Sequence, residues 1–337
     1  MSLNILEVSD LKIGIQQNKK DIAIVNGVSF QLEKGKTLGI VGESGCGKSM
    51  TSLSLMGLLP AGGVNWQGGE VYIDQKQINK KSNKEWRKIR GKKISMIFQE
   101  PMSSLNPVYK VGSQIMEMIH SHEKISRKEA HERAVDMLRL VGIPRPDKVV
   151  NEYPHQLSGG MRQRVMIAMA LACGPEILIA DEPTTALDVT IQAQILDLMR
   201  DIQEKLDMSI ILITHDLGVV AEICEKVIVM YAGEIVEEAT VLDLFNYPLH
   251  PYTKGLLNSL PDIESEQEYL PSIEGGVVPS PSDMPSGCRF FDRCEFATDQ
   301  CKKKPDLYTT SIGTKVRCWL YEENEVGGGN CQWAVHC

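Results

Sequence analysis

Along residues 1 to about 260, short runs of apolar residues alternate with stretches in which apolar positions recur at helical spacing. This alternation is typical of an α/β fold. Four apolar runs predict short buried strands, at residues 38–41, 177–180, 210–213 and 227–230. Tyr231, Ala232 and Gly233 then predict a turn into a fifth strand at 234–237, so the last two strands should form a hairpin.

The strand pattern disappears in the segment of about residues 101–160. Ser126 and Glu129 have the spacing of a capping box, in which the Ser side chain and the Glu three residues later bond each other's free backbone N–H groups. Apolar residues follow at helical spacing until Gly142, which predicts the end of that helix. We therefore expect a helical insert in an α/β domain.

The character of the chain changes again after residue 260. Residues 261–287 are rich in Pro, Gly, Ser and acidic residues and show little periodicity, which indicates a linker or a loop-built segment. The expected organisation is a large domain at 1–260, a loop-rich C-terminal extension at 261–321 and a poorly ordered tail at 322–337. The length of 337 residues suits one large domain with a smaller appendage.

Charge and hydropathy narrow the class of protein. The net charge of -8 argues against sequence-independent binding of nucleic acid, which needs a basic face. The N-terminus lacks the pattern of a secretory signal, and no run of about 18 apolar residues is present to span a bilayer. We expect a soluble protein that reaches a membrane only through partners.

The candidate chemistry begins with a glycine-rich loop between the first predicted strand and a helix expected to run to about Leu59. It matches the phosphate-loop pattern G-x-x-x-x-G-K-[ST] with Gly42, Glu43, Ser44, Gly45, Cys46, Gly47, Lys48 and Ser49. Backbone N–H groups of such a loop point at phosphate oxygens, the Lys contacts the β- and γ-phosphates, and the Ser hydroxyl coordinates Mg²⁺. Met50, which follows directly, joins the predicted nucleotide-binding residues, and Cys46 occupies a variable position. The strand, the helix and the Lys-Ser ending disfavour a plain glycine-rich turn.

An acidic pair, Asp181 and Glu182, follows the strand at 177–180. Beside a phosphate loop, one carboxylate can hold Mg²⁺ through water and the next can orient and deprotonate the attacking water. We assign Asp181 to the metal and Glu182 to the general base. Such a pair alone is most often a solvated turn, and the phosphate loop is what favours catalysis.

Two polar residues follow neighbouring strands. His215 comes after the strand at 210–213, at the catalytic edge of the predicted sheet, where it can touch the γ-phosphate. Gln99 follows residues 94–98 and can reach the metal or the attacking water. Each alone would be an ordinary loop residue, and the neighbouring motifs make them catalytic candidates.

Residues 157–163, Leu-Ser-Gly-Gly-Met-Arg-Gln, precede a second long helical pattern. Ser158 can cap this helix, and Gly159 and Gly160 leave backbone N–H groups open at its positive end. This makes a second anion site in a chain that already has a phosphate loop. Two half-sites make sense if two such chains face each other head to tail, each closing over the other's ATP.

Together these motifs resemble the ABC ATPase family from Leu6 to about Leu260. The resemblance implies an ABC-type P-loop ATPase domain at 1–260 with a helical subdomain at about 101–160. It also implies that Asp188, after Ala186 and Leu187, lies at a dimer interface and couples the two ATP sites. One departure concerns the adenine, on which the family usually stacks an aromatic residue, because here the matching stretch offers only Ile15.

Three further stretches, at residues 100–107, 184–194 and 250–253, resemble the oligopeptide, dipeptide and nickel importers within that family. In this branch two different ATPases normally form a heterodimer, bind two transmembrane permease subunits and serve an extracytoplasmic substrate-binding protein. The resemblance implies a peripheral position on the cytoplasmic face of the membrane. It further implies that the region near Gln99 and residues 103–111 binds a cytoplasmic helix of the membrane subunit.

The C-terminal extension contains four cysteines with five, six and sixteen intervening residues, namely Cys288, Cys294, Cys301 and Cys318. Four thiolates suit an iron–sulfur cluster or Zn²⁺, and free or partly buried thiols are the third alternative. The importer branch resembled here carries a 4Fe–4S cluster in several members, so the resemblance implies iron–sulfur ligation at these residues. Cys46, Cys173 and Cys224 are interpreted as ordinary small residues, and Cys331 and Cys337 belong to the tail.

The predicted function is therefore ATP hydrolysis that energises uptake of di- and oligopeptides, by ATP-driven dimer closure, in-line attack of water and reopening. Nickel or metal-chelate uptake is the alternative within the branch, because another subunit selects the substrate. A soluble ABC protein of translation or DNA repair is disfavoured by the single motif set. A regulatory module without hydrolysis is disfavoured by Glu182 and His215.

Overall fold

The structure, a computed structural model, describes residues 3–17, 20–79, 81–99, 105–185, 187–260 and 276–325. Residues 100–104, Ala186, Cys331 and Cys337, to which the sequence analysis assigned motifs or the tail, lie outside the described residues. The strands are β1 (Asn4–Gln17), β2 (Lys20–Glu33), β3 (Thr37–Val41), β4 (Val64–Ile73), β5 (Lys76–Gln77), β6 (Ile94–Ile97), β7 (Ile177–Asp181), β8 (Ser209–Ile213), β9 (Lys226–Tyr231), β10 (Glu234–Thr240), β11 (Tyr308–Thr309) and β12 (Lys315–Val316). The helices are α1 (Lys48–Leu55), α2 (Asn83–Ile89), α3 (Val111–His122), α4 (Arg127–Leu140), α5 (Pro146–Val149), α6 (Gly159–Leu171), α7 (Val189–Leu206), α8 (Leu217–Ile223), α9 (Val241–Asn246) and α10 (Pro251–Asn258).

The strands form two sheets. The larger is eight-stranded, in the order β11-β12-β10-β9-β3-β8-β7-β6, and its strands from β9 to β6 are parallel. All residues of β3, β7 and β8 are buried, as expected for parallel strands covered on both faces. The predicted α/β class and all five predicted strands are confirmed. Because the central strands are parallel, the loops after β3, β6, β7 and β8 lie at one edge of the sheet.

The smaller sheet is antiparallel, in the order β2-β1-β4-β5, and it packs beside the phosphate loop. The contact runs through the predicted hairpin turn between β9 and β10. The backbone N–H of Asn26 in β2 donates to the Gly233 carbonyl at 2.8 Å, and the Gly233 N–H donates to the Cys46 carbonyl at 2.8 Å. A Cβ atom at Gly233 would lie 2.1 Å from the Ile24 carbonyl oxygen, so this bridge requires glycine.

Between residues 105 and 157, where every residue is described, the chain forms helices and no strand. The predicted capping box is present, since the Ser126 hydroxyl accepts from the Glu129 N–H at 3.2 Å and the Glu129 carboxylate accepts from the Ser126 N–H at 2.8 Å. Helices α3 and α4 bury Ile115, Ile119 and Leu138 completely.

Helix α1 ends at Leu55, four residues before the predicted end. Gly57 has a φ of +61°, and the Leu58 N–H donates to the Leu53 carbonyl at 2.8 Å, which closes the helix as a Schellman motif. The Trp86 ring lies against Gly57 and takes the space of a side chain there.

Residues 276–325 of the C-terminal extension consist of loops, short 3₁₀ helices and the two strands β11 and β12. Strand β12 pairs antiparallel with β10, with Val316 opposite Glu237 and Lys315 opposite Glu238. The described part of the extension therefore continues the main sheet. Within the described residues, none of the helices combines the length and the apolar character that crossing a bilayer requires.

Candidate functional site

The phosphate loop connects the carboxyl end of β3 to the N-terminus of α1. Gly42 has a φ of +149°, and a Cβ atom there would lie 2.2 Å from the Met230 carbonyl oxygen, so the start of the loop admits only glycine. At the tip, Ser44 and Gly45 are exposed, and no atom lies within 4 Å of a Cβ built on Gly45. Gly47 is the N-cap of α1 and provides no side-chain cap, so no N-cap side chain bonds the first N–H groups of α1.

Lys48 lies beneath this loop, with only 6% of its surface exposed. Its Nζ donates to the carbonyls of Gly42 at 2.6 Å and Glu43 at 3.0 Å. The buried ammonium thus lies against the loop backbone. Cys46 is fully buried, which fits its interpretation as a small neutral residue, and Met50 packs half-buried against the core.

Of the three predicted Mg²⁺ ligands, Ser49 and Asp181 lie together, whereas Gln99 is hydrogen-bonded to Glu182. The Ser49 hydroxyl donates to the Asp181 carboxylate at 3.4 Å. Burial raises the pKa of the Asp181 carboxyl, and the hydrogen bond from Ser49 opposes this. A carboxylate and a hydroxyl at one edge of the sheet are oxygen ligands of the kind that Mg²⁺ takes, so these residues fit the metal.

Glu182 forms the centre of a hydrogen-bonded cluster. Its carboxylate accepts from Gln99 Nε2 at 2.9 Å and from Thr185 Oγ1 at 2.9 Å, and its Oε1 lies 3.2 Å from His215 Nδ1. Gln99, Glu182 and His215 follow β6, β7 and β8, so the structure brings together all three residues predicted to be catalytic. Thr185 was not predicted, although its place three residues after Glu182 was visible in the sequence.

The surroundings of Glu182 favour the ionised carboxylate. Burial alone would raise the pKa of the Glu182 carboxyl, but the hydrogen bonds from Thr185, His215 and Gln99 outweigh burial and hold the pKa below its usual value. The carboxylate is therefore present at neutral pH, as a general base requires. Glu182 also has a φ of +49°, a conformation that costs energy in a non-glycine residue and is found mostly at functional positions.

The second predicted anion site lies at the N-terminus of α6. The Ser158 hydroxyl caps this helix by accepting from the Met161 N–H at 3.3 Å, and both Ser158 and Gly159 are exposed. A Cβ at Gly159 would meet no atom within 4 Å, whereas at Gly160 it would lie 3.0 Å from Ile191. Ser158 therefore lies in the cap of α6 and does not belong to the hydrogen-bonded cluster around Glu182.

Two further predicted residues lie on the flanks of the site. Asp188 is exposed and caps α7 by accepting from the Ile191 N–H at 2.9 Å. Ile15 is half-buried in β1, opposite Ile22 of β2 and Val64 of β4. Two residues after Ile22, strand β2 lies next to the phosphate loop, where the Ile24 carbonyl oxygen is 3.3 Å from a Cβ built on Gly47.

Two contacts that the sequence analysis did not predict join distant segments to the site. Gln163 of α6, which is 1% exposed, donates from Nε2 to the Pro183 carbonyl at 2.5 Å and so connects the helix of Ser158 to the loop of Glu182. Glu43 of the phosphate loop pairs with Arg293 of the extension and donates its N–H to the Tyr252 hydroxyl at 2.8 Å. These partners are 20 to 250 residues apart in sequence, so no local pattern reveals them.

The prediction of an iron–sulfur cluster is wrong. Cys288, Cys294, Cys301 and Cys318 line one cavity of about 110 Å³, yet within the described ranges no group of three or more His, Cys, Asp or Glu side chains is placed to hold a metal ion. Burial raises the pKa of the Cys288 thiol to about 11 and that of Cys318 to about 12, and it also raises the pKa of Cys294. Burial therefore favours the protonated form of these three thiols. The absence of a metal-holding group among the described residues also removes zinc, and the four residues are free, partly buried thiols.

The arrangement at the sheet edge fits a nucleoside triphosphate. The uncapped N-terminus of α1 and the open tip of the loop can receive phosphate oxygens, and Lys48 provides the positive charge. The ionised Glu182 follows β7 at the same edge of the sheet, where a base for an attacking water is needed. These features together define a nucleotide hydrolase of the phosphate-loop class.

Comparisons with known proteins agree with this chemistry. The family described as ABC transporter matches residues 25–185, and the family described as oligopeptide/dipeptide transporter, C-terminal region, matches residues 236–301. The chain is 54% identical over 320 residues to the oligopeptide transport ATP-binding protein AppD of Bacillus subtilis (strain 168), covering 95% of this chain and 97% of AppD. It is 46% identical over 315 residues to the dipeptide transport ATP-binding protein DppD of Escherichia coli (strain K12), covering 93% of this chain and 96% of DppD.

The fold is similar to that of MJ0796, a bacterial ABC transporter cassette solved as a dimer, with a TM-score of 0.62 and 30% identity over 70% of this chain and 98% of that one. The same cassette bound to ADP and Pi, in a post-hydrolysis state, gives a TM-score of 0.62 and 29% identity over the same shares. The chain therefore belongs to the ABC transporter family, in its oligopeptide and dipeptide transport ATP-binding branch.

Proposed function

We propose that this chain binds ATP on its phosphate loop, hydrolyses it with Glu182 as the general base, and thereby energises import of di- and oligopeptides. The observation that carries the proposal is the cluster at the carboxyl ends of β6, β7 and β8. There the ionised Glu182 is held by Gln99, Thr185 and His215. Strand β8, which precedes His215, pairs with β3, the strand that leads into the phosphate loop.

The substrate class rests on the relatives. AppD and DppD are named for oligopeptide and dipeptide transport, and they align along nearly the whole of this chain. The family that matches the C-terminal part of the chain is likewise described as an oligopeptide/dipeptide transporter region. This favours peptides over the alternative of nickel or a metal chelate.

In the proposed mechanism, each residue at the carboxyl edge of the main sheet has its own role. Lys48, with the N–H groups of the loop and of α1, binds the β- and γ-phosphates. Ser49 and Asp181 would hold Mg²⁺, which when bound neutralises charge on the phosphates. Glu182 takes the proton of the attacking water at its carboxylate, while Gln99 and His215 keep that carboxylate in place and lie within reach of the γ-phosphate. Ile15 covers the adenine face.

A second chain would complete each site. The exposed N-terminus of α6, at Ser158 and Gly159, offers N–H groups to the γ-phosphate of a facing subunit. Asp188 is exposed beside it, and Val189 is 83% exposed, as expected for residues that a partner covers. MJ0796 is described as a dimer. We infer a head-to-tail pair, with a second homologous ATPase as the partner in a heterodimer.

The membrane partners would bind near Gln99. Phe98, Val108 and Tyr109 expose 41%, 71% and 57% of their surfaces and provide apolar contact for a cytoplasmic helix of a permease subunit. Through two permease subunits the chain would lie peripherally on the cytoplasmic face of the membrane and serve an extracytoplasmic substrate-binding protein.

The decisive variant for the general base is Glu182→Gln, which keeps the size of the side chain and removes the base. In the assembled transporter we expect ATP binding to persist and hydrolysis to slow by at least about 100-fold, the scale of general-base catalysis. Glu204→Gln is the matched control, because it makes the same change at an exposed position of α7. Turnover of Glu182→Gln near the wild-type rate would refute the assignment.

The paired arrangement has its own test. Turnover per chain should rise with protein concentration at low concentration, because two chains must meet before either site is complete, and Ser158→Arg should abolish that rise. Full turnover by an isolated single copy would contradict the arrangement.

A further inference from the structure

We propose that Arg293 of the C-terminal extension is a positioning residue that fixes the phosphate loop in its nucleotide-binding conformation. The inference rests on the proposed function, since it concerns the same ATP site. Arg293 acts through Glu43, the second residue of the loop, to which it donates two hydrogen bonds.

The contact between the two residues is bidentate. Arg293 Nη1 donates to Glu43 Oε2 at 2.6 Å and Nη2 donates to Oε1 at 3.0 Å. The Arg293 side chain is only 3% exposed and that of Glu43 is 29% exposed. Parallel charge-assisted hydrogen bonds of this kind fix the relative orientation of both groups, which a lysine at the same position would not do.

The guanidinium is itself held in place by aromatic rings. Arg293 Cζ lies 5.7 Å from the ring centre of Tyr231 and 5.9 Å from that of Phe290. These two rings pack edge-on at 5.1 Å. Tyr231 ends β9 of the main sheet and Phe290 belongs to the extension, so Arg293 is anchored to both parts before it reaches the loop.

The backbone of Glu43 is held as well. Its N–H donates to the hydroxyl of Tyr252, a fully buried residue of α10 that packs against Tyr231 and Phe290. Its carbonyl accepts from Lys48 Nζ at 3.0 Å. Arg293, Glu43 and Lys48 therefore form one connected series from the extension to the residue predicted to bind the β- and γ-phosphates.

The anchor matters because Glu43 directly precedes the exposed tip of the loop. Ser44 and Gly45 are exposed, and a side chain at Gly45 would meet nothing within 4 Å. A loop that is ordered before the ligand arrives loses less conformational entropy on binding. Loss of the anchor should therefore weaken binding of the phosphates equally in the ground state and the transition state, which raises KM and leaves kcat unchanged.

The extension keeps other contacts when Arg293 is changed. Arg289 Nε and Lys304 Nζ lie 3.2 and 2.7 Å from Glu234 Oε1, and Lys315 bonds Glu238 at 3.1 Å. Strand β12 remains paired with β10. Variants of Arg293 should thus stay folded with the extension docked, and Lys315→Ala is a control that removes an ion pair of the extension away from the loop.

The experiment compares full-length Arg293→Ala, Arg293→Lys, Glu43→Ala and Lys315→Ala with the wild type. We expect the Kd for MgATP and for ADP to rise about tenfold in Arg293→Ala and Glu43→Ala, the effect of one charge-assisted contact expressed as an equilibrium constant. In the assembled transporter KM should rise likewise while kcat stays within about twofold. Arg293→Lys should recover only part of the affinity, and Lys315→Ala should match the wild type.

A double variant, Arg293→Ala with Glu43→Ala, provides the decisive comparison. If the two residues act as one contact, the double variant should bind nucleotide no more weakly than either single variant. Additive losses, an unchanged Kd in Arg293→Ala, or an equal loss in Lys315→Ala would overturn the inference. A wild type that lacks ATP turnover would instead refute the proposed function, so the two failures are distinguishable. If Arg293→Ala fails to fold, Arg293→Lys and Glu43→Ala carry the test.

Discussion

A buried histidine should make the stability of this protein depend on pH in a predictable way. His250 is 2% exposed, and its Nδ1 accepts the N–H of Tyr252 at 3.0 Å as the N-cap of α10. Burial lowers the pKa of His250 to about 3, although a hydrogen bond with the Arg317 backbone opposes this. The folded protein therefore keeps a neutral imidazole at pH values where the unfolded chain binds a proton.

The sign and size of the effect follow from that difference. The unfolded side chain titrates at about pH 6.5. Above that pH both states are neutral and His250 does not reduce the free energy of unfolding, whereas as the pH falls from 6.5 towards 3 the unfolded state alone binds the proton and the free energy of unfolding decreases. At about pH 5 the unfolded state is favoured by about 2 kcal/mol through this one proton. Near pH 7 the effect is small, because both states are mostly neutral.

The measurement is urea unfolding of the wild type and of His250→Asn at about pH 7 and about pH 5. Asn is a good N-cap residue and does not titrate, so the variant keeps the cap and loses the proton. Glu237, which accepts the N–H groups of Leu249 and His250, is present in both proteins, and its own titration therefore cancels in the comparison. Between these pH values the wild type should lose about 2 kcal/mol more than the variant. Equal losses, within about 0.5 kcal/mol, would show that His250 is protonated in the folded state or exposed to solvent.

Two further predictions concern the loop and the helical insert. Gly42→Ala should weaken MgATP binding by at least about tenfold, because its Cβ would lie 2.2 Å from the Met230 carbonyl oxygen. The control is Gly68→Ala, whose Cβ would make ordinary contact with Lys12, and it should leave the Kd for MgATP unchanged. Ser126→Ala should lower the free energy of unfolding by about 1 kcal/mol through loss of the capping box while the ATPase rate stays at the wild-type value; an unchanged urea midpoint would contradict the first part.

The elements that were predicted from sequence share a local cause. Strands β3, β7 and β8 are buried along their whole length and β9 along all but its first residue, so each appears as a continuous apolar run that needs no knowledge of its neighbours. Parallel strands then bring their carboxyl ends together, which is why Gln99, Glu182 and His215 were expected at one edge and lie there. The caps at Ser126 and Ser158 depend only on residues within one turn.

What was missed or mistaken depends on contacts between distant segments. The end of α1 is set by Gly57 against Trp86, and the pair of Glu43 with Arg293 spans 250 residues, so neither follows from a local pattern. Arg293 stands directly before Cys294, and that region was interpreted for its cysteines. The four cysteines were predicted to be iron–sulfur ligands, but they line one cavity without forming a group that can hold a metal ion in the described part of the chain, because spacing along the sequence does not determine how side chains are placed.

The pairing of β12 with β10 has a consequence for shortened forms of this protein. Without residues from Lys315 onward, β10 would present a row of free backbone N–H and C=O groups at the border of the main sheet. Such a border recruits strands from other molecules, so truncated chains should associate side by side through their sheets and aggregate, in competition with productive assembly. By pairing with β10, strand β12 thus protects the protein against self-association through this edge of the sheet.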